Sequence, residues 1–145
     1  KMKNSTTTFS RSWKIEKLHW HVQLWKSDLK FMKDETIFIE RLLNAPIFKL
    51  NTPDLLEKLQ GYQNQLITYK VRKNKLMHFI SIHENQLGRA MESTSENVVT
   101  NFYHNHDDLE MELLDCTDNF KSLKEDIYNY IRMNLKNCEA NVDSY

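Results

Sequence analysis

The sequence predicts an all-α fold: an elongated, antiparallel three-helix bundle with left-handed, coiled-coil-like packing. Three observations predict it. Apolar residues recur at steps of three and four along three long stretches. The chain has only two Gly and two Pro among its 145 residues, so it can turn in few places. Both prolines fall in APIFKLNTP after Asn44, and the hydroxyl run Ser93-Thr94-Ser95 marks a second break. A repeat of seven averages 3.5 residues per turn, and straight helices bury such a stripe continuously only by winding around one another with a left hand. A single domain, 1–145, is expected, with helices over about 10–44, 53–91 and 95–136, each roughly 50–60 Å long at the α-helical rise.

In the first helix Leu18, Trp25, Met32 and Ile39 lie seven apart, with Val22, Leu29 and Leu43 beside them and Leu24, Phe31 and Phe38 on the opposite flank. His21, Asp28 and Glu35 fall at the centre of this wide apolar arc. An unpaired charge there would cost several kcal/mol, so each is expected to find a partner on a neighbouring helix. Residues 1–9, polar and Thr-rich, read as a disordered arm, with Ser10 or Ser12 as the helix cap. Pro46 and Pro53 bracket the first connection, where Ile47, Phe48 and Leu50 are expected to tuck under the bundle end.

Thr52-Pro53-Asp54 starts the second helix with a hydroxyl cap, proline in the first turn and an acid near the positive end of the dipole. Its stripe runs Leu55, Leu59, Tyr62, Leu66, Tyr69, Lys73, Leu76, Ile80, His83, Leu87 and Ala90. Gly61 falls on the outer face, and Gly88 is a candidate early terminator. Ser93 and Glu96 have capping-box spacing ahead of the third helix. That helix carries Val99, Phe102, His106, Leu109, Leu113, Cys116, Phe120, Leu123, Ile127 and Tyr130, and residues 137–145 are expected to fray.

Composition removes several functions. Twenty basic and twenty acidic residues leave no net charge, which argues against nucleic acid as partner. No apolar run reaches the length of a membrane span, and no signal-peptide core is visible, so no membrane partner is expected and the compartment is read as cytoplasmic. Cys116 and Cys138 lie too far apart for a zinc knuckle and are read as free thiols. No phosphate-binding glycine loop or nucleophile elbow is present, so whether the protein is an enzyme stays open.

Two constellations remain. Counting along the helices from each turn brings His21, His83 and His106 inward at a similar height, with Glu110 one turn beyond His106 and Glu84 beside His83. Histidine and glutamate on facing helices are how bundles build metal sites, and imidazole with carboxylate suits a divalent transition metal, zinc or iron. His106-x-x-x-Glu110 is similar to one motif of the hemerythrins, although the likeness covers a single helical turn, with neither a second histidine pair nor a fourth helix. Glu16-x-x-His19 has ferritin-like spacing but occurs once and faces outward, as do His78 and, more marginally, His104. The second constellation is a buried polar network in which Asp28 faces Lys70 and Glu35 faces Gln63, with Tyr62, Tyr69 and Lys73 pointing inward.

Two functions follow from these residues. One is a metal-binding bundle using His21, His83, His106 and Glu110, with Glu84 in reserve. The alternative is a non-catalytic scaffold or interaction module whose polar layer fixes helix register. Trp13 and Trp20, seven apart on the outside of the first helix, widen its apolar arc beyond what two neighbours need, and predict a homodimer through that helix or another protein partner.

Overall fold

In the computed structural model the chain forms three helices, α1 (Met2–Leu43), α2 (Pro53–Glu92) and α3 (Glu96–Asp143), with a short 3-10 helix, Pro46–Leu50, between the first two. The structure describes the backbone of residues 2–50 and 52–143, and the side chains of 14–48 and 52–136. All three helices pack against one another as an all-α three-helix bundle. The contacts group into two units, Lys1–Phe31 with Lys73–Leu114 and Met32–Arg72 with Asp115–Tyr145, and each unit takes a length of every helix.

Each helix forms because its apolar side chains stand at helical spacing with few breakers between them. From Lys1 to Ala45 there is neither Gly nor Pro, and once started a helix gains one hydrogen bond per added residue. That accounts for α1 running back to Met2, through the segment expected to be a free arm. By the same logic α3 continues to Asp143, past the point where the pattern fades. Gly88 does not stop α2, which reaches Glu92.

The buried seam of α1 is narrower than its sequence suggests. It alternates steps of three and four: Ile15, Leu18, Val22, Trp25, Leu29, Met32, Thr36, Ile39, Leu43. His21 and Glu35 therefore sit half-buried at its edge rather than its centre, Asp28 is exposed, and Leu24, Phe31 and Phe38 face solvent. Two neighbouring helices cover only the seam and its borders, so the second flank is left outside.

In the first unit, Ile15, Leu18, Leu87, Ala90 and Phe102 form a compact apolar cluster, with Tyr103 against it. α2 and α3 join through a tight turn: Ser95 caps α3, its carbonyl accepting from Val99 N at 3.3 Å while its own N–H donates to Ser93 Oγ at 3.1 Å.

In the second unit, Lys70 meets Glu40 at 2.8 Å and Gln63 donates to Asn44 at 3.2 Å, so α2 descends as α1 rises. Arg72 pairs with Asp115, Tyr69 stacks on Phe120 and Tyr62 lies edge-on to Tyr130, so α3 rises again. The expected pairings Asp28–Lys70 and Glu35–Gln63 are replaced, Glu35 taking Lys124 at 2.8 Å. The connection explains the slip. Asn44 stands at the end of α1 yet its partner is 19 residues on, because the chain spends the 3-10 helix and the first turns of α2 beyond the end of α1. That overhang is packed: Phe48 is buried near Tyr130, whose hydroxyl donates to Leu55 O at 3.1 Å. Ile47 stays partly exposed and Leu50 lies outside the described side chains.

Tyr69 and Lys73 are buried as expected. Burial, followed by the neighbouring Cys116, pushes the Tyr69 hydroxyl well above the ordinary phenol range, so it stays neutral.

Gly61 sits mid-helix with nothing within 4 Å of an added Cβ. Gly61→Ala is expected to raise unfolding stability by about 0.5–1 kcal/mol, because alanine loses less backbone entropy in a helix. Urea denaturation with an unchanged slope is the check.

Candidate metal centre

The site lies in the first unit, where the seams of all three helices each carry or border a histidine. His83 on α2 and His106 on α3 occupy seam positions and are fully buried, whereas His21 borders the seam of α1. The three rings form a chain: His21 Nδ1 is 3.1 Å from His106 Nε2, and His106 Nδ1 is 2.9 Å from His83 Nε2. Both nitrogens of His106 are thus engaged. His83 Nδ1 has no hydrogen-bond partner among the described residues.

The surroundings are aromatic. Phe102 stacks on His83 with centroids 4.3 Å apart and planes 4° from parallel. Trp25 lies 4.5 Å from the His106 ring and 6.4 Å from both His21 and His83. Rings on three helices at one level fix the imidazoles by packing as much as by hydrogen bonds.

The electrostatics follow from this enclosure. Burial holds the His106 imidazole at a pKa of about 4, with His83 and His21 adding to the depression, and burial lowers His83 as well. Both rings are therefore neutral at pH 7, the state in which imidazole offers a lone pair.

Glu110 stands one turn beyond His106 on the same side of α3, half-buried. One ligand atom each from His21, His106 and Glu110 lie within 4.8 Å of one another, so the three could hold a metal ion. His83 does not belong to this set: its Nε2 supports His106 from behind. Glu84 is drawn away, accepting from Gln23 at 2.8 Å and Lys26 at 3.2 Å across the α1–α2 border. It therefore serves as a helix-to-helix tie, a role the sequence reading missed because Lys26 borders the seam outside the counted stripe. His19, His78 and His104 are exposed, as their wheel positions predicted.

No protein-family model matches the chain, and no curated protein or solved structure matches it either.

The depressed imidazoles make acid stability a direct readout. In the unfolded chain His106 titrates near 6.5, in the fold near 4. Between these values the unfolded state binds more protons, so stability falls as pH is lowered through that window. For His106 alone the loss is on the order of 3 kcal/mol by the bottom of the window. Urea midpoints of chelator-treated protein from pH 7 to pH 4 are expected to decline accordingly, and His106→Phe to flatten the decline.

Proposed function

We propose that this protein is a divalent metal-binding helical bundle, with His21 Nδ1, His106 Nε2 and a Glu110 carboxylate oxygen as ligands and His83 as the group that orients His106. The observation that carries the reading is the convergence of these donor atoms from two helices, above all the 3.1 Å between the two ring nitrogens. An ion at about 2.0–2.1 Å from each nitrogen would see them at an angle of roughly 100°, within reach of tetrahedral or octahedral geometry. The Glu110 ligand atom lies no more than 4.8 Å from the other two.

The chain of rings also supports this reading. With an ion on Nε2, His106 must keep its proton on Nδ1, and His83 Nε2 is placed to accept it. Metal-bound histidines regularly hand their second N–H to a neighbour, which fixes the tautomer and raises ligand basicity. The neutral state of His106 spares the site a competing proton at pH 7. Two imidazoles and one carboxylate are the donor set of one class of catalytic zinc sites and of non-haem iron sites, so zinc and iron are the candidate ions. Three protein ligands leave at least one position for water or a small exogenous ligand.

Protein purified without a histidine tag should carry, or take up on titration, one equivalent of zinc or ferrous ion. At a free concentration a hundredfold above Kd, the ion should stabilise the fold by about 2.7 kcal/mol, raising Tm by roughly 5–10 °C for a chain of this size. His21→Ala and Glu110→Gln, at half-buried positions, should each weaken binding at least about tenfold while the helical signal is kept. Elemental analysis and thermal melts read both. Folded protein that neither binds nor shifts with either ion would assign the histidines to a hydrogen-bonded polar layer.

A further inference from the structure

The outer face of α1 carries a second seven-residue pattern that the bundle does not use. Trp20 is 70% exposed, Leu24 49%, Phe31 65% and Phe38 55%. Leu24, Phe31 and Phe38 lie seven apart, and Lys17 begins their row. Trp20, Ser27 and Asp34 form the interleaved row, also seven apart and all exposed. Together the rows alternate steps of four and three, the spacing of a coiled-coil seam, on a helix whose first seam is already buried. Single exposed apolar residues need no explanation, but an exposed file of aromatic and aliphatic side chains on one helix marks an interaction surface. Trp13 continues the spacing in the sequence, and its side chain lies outside the described residues.

The pattern identifies its occupant through charge. In a parallel self-pairing, positions with the same number face one another, which would set Lys17 against Lys17 and Asp34 against Asp34. In an antiparallel pairing each row faces the other row of the second helix. One register then sets Lys17 against Asp34, Trp20 against Phe31 and Leu24 against Ser27, each pair formed twice about a two-fold axis. A shift of seven one way sets Lys17 against Arg41 and Leu24 against Asp34, and a shift of seven the other way sets Lys17 against Ser27, so neither gives Lys17 an opposite charge across the seam. Ser27 is small enough to let the helices approach near the axis, where each Leu24 packs over it.

We propose that the outer face of α1 docks antiparallel on the same face of a second copy of this chain, with Lys17 of one copy paired to Asp34 of the other. The interface is isologous, as two-fold symmetry requires. Its core is aromatic, the composition that dominates interface energetics. The proposal is independent of metal, since its seam residues are none of the ligands.

Sedimentation equilibrium on the full chain in chelator is the test. The expected result is a reversible dimer. Phe31→Asp should leave a monomer with unchanged far-ultraviolet circular dichroism, which separates lost docking from lost folding. Lys17→Asp and Asp34→Lys should each weaken association about tenfold, and the double variant should recover it, as complementary charges across an interface predict. A chain that stays monomeric at all concentrations overturns the proposal and points to a different protein on this face. A dimer indifferent to Phe31→Asp overturns the face, and failure of the double variant to recover overturns the register.

Discussion

Removal of one narrow stripe per helix from water is the constraint from which the rest of this structure descends. On α1 nine consecutive seam positions are buried, and Val22, Leu29, Ile39, Ile80, Cys116 and Ile127 are sealed completely. Burial of a leucine- or isoleucine-sized side chain contributes about 1.5–3 kcal/mol, and the alternation of three and four steps places these side chains along one line. Any polar residue on that line must then find a partner inside the bundle. Thr36 and Asn134 turn back onto their own helices, donating to Met32 O at 2.7 Å and Tyr130 O at 2.8 Å. His83 and His106 cannot do so and bond to each other. The histidine layer is thus a consequence of the seam: His83 and His106 are held buried and neutral, and half-buried His21 and Glu110 stand at its border, where they join His106 in the candidate metal centre.

Connections decide which residues share a level. The turn between α2 and α3 is short and capped, so counting from it brings His83 to His106. Between α1 and α2 the chain continues beyond the end of α1, with Phe48 and Tyr130 filling the overhang. This offset gives Lys70 to Glu40 and leaves Lys124 for Glu35. These ion pairs are partly solvated, and such pairs contribute little individually; their chemical content is in choosing one helix level over another.

The two surfaces that remain have different characters. The histidine chain faces inward and is walled by Trp25 and Phe102, and its two buried members, His83 and His106, keep their lone pairs at pH 7 because burial opposes protonation. The outer rows of α1 face solvent and spend aromatic area where none is needed for the bundle. The histidine chain and the outer rows share no residue: His21 borders the first seam of α1, His83 and His106 stand on α2 and α3, and the outer rows lie further round α1.

The sequence by itself determined the helices, their order and nearly every buried apolar residue, because helical periodicity is a local property written in steps of three and four. It also marked His83 and His106 as inward, since both stand on their stripes, and Glu110 as their neighbour one turn on. What it left open was the exact phase of α1. Leu24, Phe31 and Phe38 looked as apolar as the true seam, and only packing against two neighbours showed that they remain outside. Thr36 was passed over although it stands seven from Leu29 and from Leu43, because composition weighed more than phase. The partners of Glu35, Lys70, Gln63 and Glu84, and the exposure of Asp28, were decided by tertiary structure alone. Cross-helix pairing depends on how much length a connection consumes, and a 3-10 turn with a packed overhang shifts every opposing level without changing the periodicity of either helix.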